Sequence, residues 1–209
     1  RIIEAYSGNV YLYGHDIHLS SSKEIAKKVS VLPQQQKPNL PLTVYELVCL
    51  GRSPHKKWWE LELNEKDYMT VEKAIDLADM STFKNKPIQS LSGGQRQRAF
   101  LALALAQDAK IILLDEPTTF LDIRYQLQFF DLLKRLNKEQ ELSVITVIHD
   151  VNLAARYCDR IAVMKEGELL GIDIPSKILT KKMMSTAFKV ETCLIETPVG
   201  LQICTIKSD

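Results

Sequence analysis

The stretch Leu91-Ser92-Gly93-Gly94-Gln95 opens a helical run of apolar residues from Arg98 to Gln107. A helix N-terminus offers unpaired N–H groups and a partial positive charge, and glycine lets a backbone come close to a ligand. Together they suit an anion, phosphate above all. An ordinary glycine-containing turn capped by Ser92 accounts for the same residues and is the simpler reading of this fragment alone. Further on, the apolar run Ile111 to Leu114 is followed directly by Asp115 and Glu116. Asp115 suits Mg²⁺ in a nucleotide site, and Glu116 suits taking a proton from water. Two acids in an exposed loop, or a capping Asp115, would look the same. His149 follows a β-branched run and could touch a phosphate oxygen or orient a water; an isolated histidine there is more often a hydrogen-bonded core residue. Gln34 follows a strand closed by Pro33, where its amide can donate to phosphate while accepting from a metal-bound water. A polar loop explains Gln34, Gln35 and Gln36 equally well.

These residues need strands and helices to hold them. "NVYLYG" (9–14) alternates as a strand ending in a turn, "SSKEIAKK" reads as a short helix, and "VSVLP" as a short apolar strand. Thr43 with Glu46 is a capping-box pair, and Gly51 reads as the stop of that helix. Asn64 caps a helix whose apolar face is Met69, Val71, Ala74, Ile75 and Ala78. Residues of about 43–89 therefore form helices without strands, a candidate helical subdomain. Beyond them, "IILL" and "SVITVI" read as buried strands, with a helix from 123 to 137 capped by Asp122 between them. A short helix capped by Asp150 follows, then a strand pair turning at Glu166-Gly167 and another at Pro198-Gly200. Strands alternating with helices imply an α/β fold with a parallel sheet covered on both faces. Ligands gather at the carboxyl ends of such strands, where Gln34, Asp115, Glu116 and His149 stand.

Composition narrows the classes. The chain has 209 residues, 45% apolar, with a net charge of +1. That is enough apolar material for one large domain and gives no electrostatic case for nucleic acid. No apolar run is long enough to span a membrane, and no signal peptide is visible. Cys49, Cys158, Cys193 and Cys204 are scattered, which favours reduced, mostly buried thiols.

The order of the motifs resembles the ATP-binding-cassette ATPases. "LSGGQ" (91–95) is similar to the family signature, "ILLDEPT" to the Walker B strand with its glutamate, and "TFLD" (119–122) to the D-loop. "VIHD" resembles the His switch and "LPQQ" the Q-loop. The resemblance covers the chain and implies a P-loop NTPase-like core with an inserted helical subdomain. It implies that Asp115, with Gln34, holds Mg²⁺, that Glu116 is the general base, and that His149 contacts the γ-phosphate of ATP. Ser92, Gly93, Gly94, Gln95 and Asp122 would meet a nucleotide held mainly by a second copy, so a homodimer is expected.

One motif of the family is missing: none of the eight glycines precedes a lysine, so no G-x-x-x-x-G-K-[ST] exists here. In the family that loop comes just before the segment resembling "RIIEAYSGNVYLYG". "RIIEAYSG" itself reads as the tail of a helix ending at Gly8. The expectation is an N-terminally truncated cassette, weak in ATP binding and inactive by itself. "TVYELVCLGRSPH" and "HDVNLAARYCDRIAVMKEGEL" are most similar to importer ATPases for iron-siderophore, haem and cobalamin permeases. That branch implies integral membrane permease subunits as partners, a substrate-binding protein indirectly, and a place at the cytoplasmic face of the cell membrane. Trp58 and Trp59 read as local packing, with a permease contact as the sharper alternative. A soluble cassette protein, such as an iron–sulfur assembly scaffold, is the rival from another class.

Overall fold

The computed structural model describes residues 5–34, 41–57, 60 and 62–208. The chain divides into two compact units, Arg1–Val147 and Ile148–Asp209.

In the first unit, β1 (Tyr11–Leu12) pairs antiparallel with β2 (His15–Asp16) around Gly14, which has φ +77°. Ala5 to Gly8 are irregular and bent, so the expected helix tail is not seen in them. Gly8 has φ +78°, the left-handed conformation in which a glycine can end a helix. α1 (Ser22–Ala26) starts with a Ser21/Glu24 capping box. β3 (Val29–Leu32) follows and ends at Pro33.

The helical block builds its own core. α2 (Val44–Cys49) and α3 (Glu65–Leu77) open with the Thr43/Glu46 and Asn64/Asp67 capping boxes. Val44, Leu47, Val48, Val71, Ala74 and Ile75 are buried together with Ala99, Ala102 and Ala106 of α4 (Gly93–Ala106). Met69 is 68% exposed and does not belong to that face. It lies two residues from Val71, about 200° around the helix. Trp58 and Trp59 lie outside the described residues.

α2 ends two residues before Gly51, but the chain stays helical there. The chain continues as a 3₁₀ helix over Leu50–His55, and Gly51 is buried within it. A Cβ there would lie 2.4 Å from the Leu103 carbonyl oxygen and 2.9 Å from the Ala106 Cβ. The glycine is needed because α4 crosses at backbone contact. Gly51→Ala is expected to destabilise this unit by about 2 kcal/mol through overpacking, read as a lower urea midpoint with an unchanged m-value.

β4 (Ile111–Asp115) lies centrally between β3 and β5 (Ser143–Val147), and all three strands are parallel. α5 (Ile123–Gln140) connects β4 to β5 and buries Phe129, Phe130, Leu132, Leu133 and Leu136. The sheet is parallel as expected, but only one face is buried. Ser30, Leu32, Ile112 and Leu114 carry that face, whereas Val31, Ile145 and Val147 are 46%, 61% and 52% exposed. Among the described residues β5 pairs with β4 alone, so "SVITVI" is not a fully buried strand here.

In the second unit, α6 (Val151–Tyr157) is capped by Asp150, which accepts from the Asn152 and Leu153 N–H groups. β6 (Ile161–Lys165) and β7 (Glu168–Asp173) form a hairpin around Glu166 and Gly167, both with positive φ. α7 (Pro175–Ile178) and α8 (Lys181–Phe188) lead to the hairpin β8 (Val190–Thr197) and β9 (Gly200–Ser208). Val163, Ile178, Leu179, Met184 and Ile203 are its core. All four cysteines are free thiols. None is fully buried, contrary to expectation, and Cys204 is exposed. No helix among the described residues is long and apolar enough to cross a membrane.

Candidate functional site

Register brings the first two site residues together. Leu32 of β3 pairs with Leu114 of β4, so both strands release their chains at the same sheet end. Gln34 and Glu116 each leave two residues later. The Gln34 Nε2 donates to the Glu116 Oε2 at 2.6 Å, a contact across 82 residues of sequence. The Thr119 hydroxyl donates to the same oxygen at 3.1 Å. Glu116 thus has the partners that two acids after a buried strand require. Thr119 was read only as the start of the stretch resembling a D-loop, without a role at Glu116.

Glu116 has φ +45°, left-handed for a residue with a side chain. The other described non-glycine residues with positive φ lie in hairpin turns or just after helices. Glu116 alone follows a strand without turning back into a hairpin. Such a conformation costs about 1–3 kcal/mol and persists where the surroundings enforce it, often at functional sites. Gln126 of α5 supplies part of that enforcement. Its side-chain amide donates to the carbonyls of Thr118 and Leu121 at 3.1 and 3.0 Å, pinning the loop from β4 to α5.

Asp115 closes β4 and is exposed, at the sheet end from which Gln34 also leaves. Among the described residues no group of three or more His, Cys, Asp or Glu side chains could hold a metal. The donors near this sheet end are two carboxylates and an amide oxygen. That hard-oxygen set fits Mg²⁺, which keeps several waters and takes one or two protein ligands plus phosphate.

The glycine-bearing helix start is well ordered by its own side chains. The Ser92 N–H donates to the Gln95 Oε1 at 3.1 Å, and the Gln95 N–H donates to the Ser92 Oγ at 3.4 Å. The Ser92 cap is therefore real, and it leaves the first turn of α4 with its dipole facing outward. Ser92 and Gly93 are exposed, whereas Gly94 is buried. A Cβ on Gly94 would meet the Tyr125 ring at 3.1 Å, so the first turns of α4 and α5 touch there. Asp122 caps α5, accepting from the Tyr125 N–H at 3.2 Å. Beside it, Phe120 and Ile123 are 81% and 77% exposed.

His149 belongs to the second unit. It is exposed and so is not a core histidine. Gln35 and Gln36 lie outside the described residues.

The description "ABC transporter" belongs to the family model that matches residues 1–119. The petrobactin import ATP-binding protein FpuC of Bacillus anthracis is 41% identical over 196 residues, which are 94% of this chain and 72% of that protein. The chain belongs to the ABC transporter family. The iron(3+)-hydroxamate import ATP-binding protein FhuC of Bacillus subtilis (strain 168) is 40% identical to this cassette, over 95% of the chain and 73% of the relative. Among solved structures, a metal-chelate type ABC transporter in an inward-facing conformation superposes with a TM-score of 0.77 at 25% identity. It covers 86% of this chain and 71% of that one. A bacterial ABC transporter cassette solved as a dimer gives 0.65 at 31% identity, over 81% and 74% of the two chains. The cassette's core is thus the family's α/β core, and the motif order read from the sequence identified it correctly.

Proposed function

We propose that this cassette is the ATP-hydrolysing subunit of a membrane importer for an iron chelate of the siderophore class. Support for hydrolysis rests on one observation: the Gln34 amide and the Thr119 hydroxyl hold the carboxylate of a strained Glu116 at the end of a parallel strand. Two donors on one oxygen fix the direction of the carboxylate, as a general base requires. The chelate class is supported by the relatives, which import petrobactin and iron(3+)-hydroxamate.

Asp115 and Gln34 would hold Mg²⁺, which when bound neutralises phosphate charge. Glu116 takes the proton of the attacking water, and His149 contacts the terminal phosphate. Ser92, Gly93 and Gln95 present the first turn of α4 to a nucleotide on a second copy of the chain. Gly94 seats that turn on Tyr125, and Asp122 holds the neighbouring helix start. The exposed pair Phe120 and Ile123 supports burial against a second copy, since large apolar side chains beside polar site residues mark contact surfaces. Two copies closing on ATP would drive permease subunits, the binding step itself supplying the free energy. The working place is the inner surface of the membrane.

The test is recovery of partners from detergent-solubilised membranes of the source cells, coupled to uptake of radioactive ferric chelate. An affinity-tagged chain is expected to bring down an integral membrane protein in comparable amount, and deletion to abolish uptake. Recovery of soluble iron–sulfur assembly proteins alone, with uptake intact, overturns the proposal.

A further inference from the structure

We infer that Cys193 and Cys204 form a two-thiolate clamp for a single soft, thiophilic centre on the outer face of the β8–β9 hairpin. The two residues are direct cross-strand partners. The type of pair follows from Asn152 of α6. Its Oδ1 accepts from the Ile203 N–H at 2.7 Å, and its Nδ2 donates to the Ile203 carbonyl at 3.2 Å. Both backbone groups of Ile203 therefore point away from β8, which makes Leu194–Ile203 a non-hydrogen-bonded pair. Pairs alternate along an antiparallel ladder, so the adjacent pair Cys193–Cys204 is a hydrogen-bonded one.

That geometry selects the ligand. At such a pair the Cα atoms stand about 5.5 Å apart. The Cβ atoms lie near the wide end of the cross-strand range, about 5.5 Å. A relaxed disulfide draws its Cβ atoms to about 3.8 Å. The hairpin resists that contraction, because Asn152 pins β9 and a tight loop joins the strands, with the Thr197 hydroxyl donating to the Gly200 carbonyl at 2.8 Å. A bridging atom bonded to both sulfurs at about 2.3 Å each spans the gap without it. Thiolates select soft centres.

Access is also suitable. Ile203 is 7% exposed on the core face, so its neighbour Cys204 projects to the opposite face, where it is exposed. Cys193 beside it is half-buried. The other two thiols compete poorly: burial pushes the Cys49 and Cys158 thiols above their usual range.

The probe is phenylarsine oxide with the whole chain. Two S–H bonds break and two As–S bonds form. The arsenic-bound oxygen leaves as water with both protons, and arsenic stays trivalent. The expected result is one phenylarsenic group per chain by intact mass, with two thiols lost to titration and restored by a dithiol. C193S and C204S should each weaken apparent affinity about a hundredfold, because single-point attachment loses the effective concentration of the second thiol. The double variant C49S/C158S should bind as the parent does. An adduct that survives C193S, one lost in C49S/C158S, or a Cys193–Cys204 disulfide in protein purified in air overturns the clamp.

Discussion

Glu116→Gln, in the cassette joined behind a family segment that carries the P-loop, is expected to lower ATP turnover about a thousandfold, with the KM for ATP little changed. The carboxamide keeps the shape of the carboxylate. Its carbonyl oxygen can still accept from the Gln34 Nε2 and the Thr119 hydroxyl, the two donors that meet the native Oε2. The backbone at φ +45° has no reason to change, since the loop is pinned separately by Gln126. What is removed is the negative charge able to take a proton. The substitution therefore separates proton abstraction from positioning. Steady-state phosphate release with a parallel nucleotide-binding titration reads both quantities. Unchanged turnover would remove Glu116 from the chemistry and leave its strained backbone without a catalytic task.

The largest effect on stability is expected at Asp67→Ala. Arg52 and Asp67 are 4% and 5% exposed, and the Arg52 Nε donates to the Asp67 Oδ1 at 2.8 Å. The guanidinium also donates from Nη1 to the Ala106 carbonyl at 2.8 Å, which closes the C-terminal end of α4. Asp67 has a second task in the capping box, accepting from the Asn64 N–H at 3.4 Å. Truncating it leaves a buried cation without its counter-charge, at a cost of about 3–5 kcal/mol. In a chain of this size that lowers Tm by roughly 10 °C. The double variant R52M/D67L should regain most of the loss, because an apolar pair of similar volume leaves no charge buried alone. Thermal melts followed by circular dichroism decide it. A loss below about 1 kcal/mol in the single variant would mean that water reaches the guanidinium and the pair matters little.

Local chemistry was legible from the sequence wherever the cause is local. Thr43, Asn64, Ser92, Asp122 and Asp150 all cap the helices they precede. Each uses a side chain to bind an N–H two or three residues ahead, and nothing distant interferes. The strand pairs around Glu166-Gly167 and Pro198-Gly200 were equally readable, because turn residues mark where the chain reverses. The order of strand-end residues led to the family for the same reason: each motif is a short run whose chemistry depends on its neighbours in sequence.

What tertiary structure alone decided involves residues far apart in the chain. Gly51 looked like a stop, but the backbone of α4 arriving at its Cα position explains it. Arg52 had no visible partner in sequence, because Asp67 and Ala106 reach it only when two helices cross. The joining of Gln34 to Glu116 needed the β3–β4 register, which no periodicity states. The facing of Cys193 and Cys204 needed the β8–β9 register in the same way. The sequence determined which helices begin where, which residues could bind phosphate or take a proton, and to which family the cassette belongs. The fold determined which of those side chains meet, because a contact between distant residues depends on packing and register, and both are properties of the assembled chain.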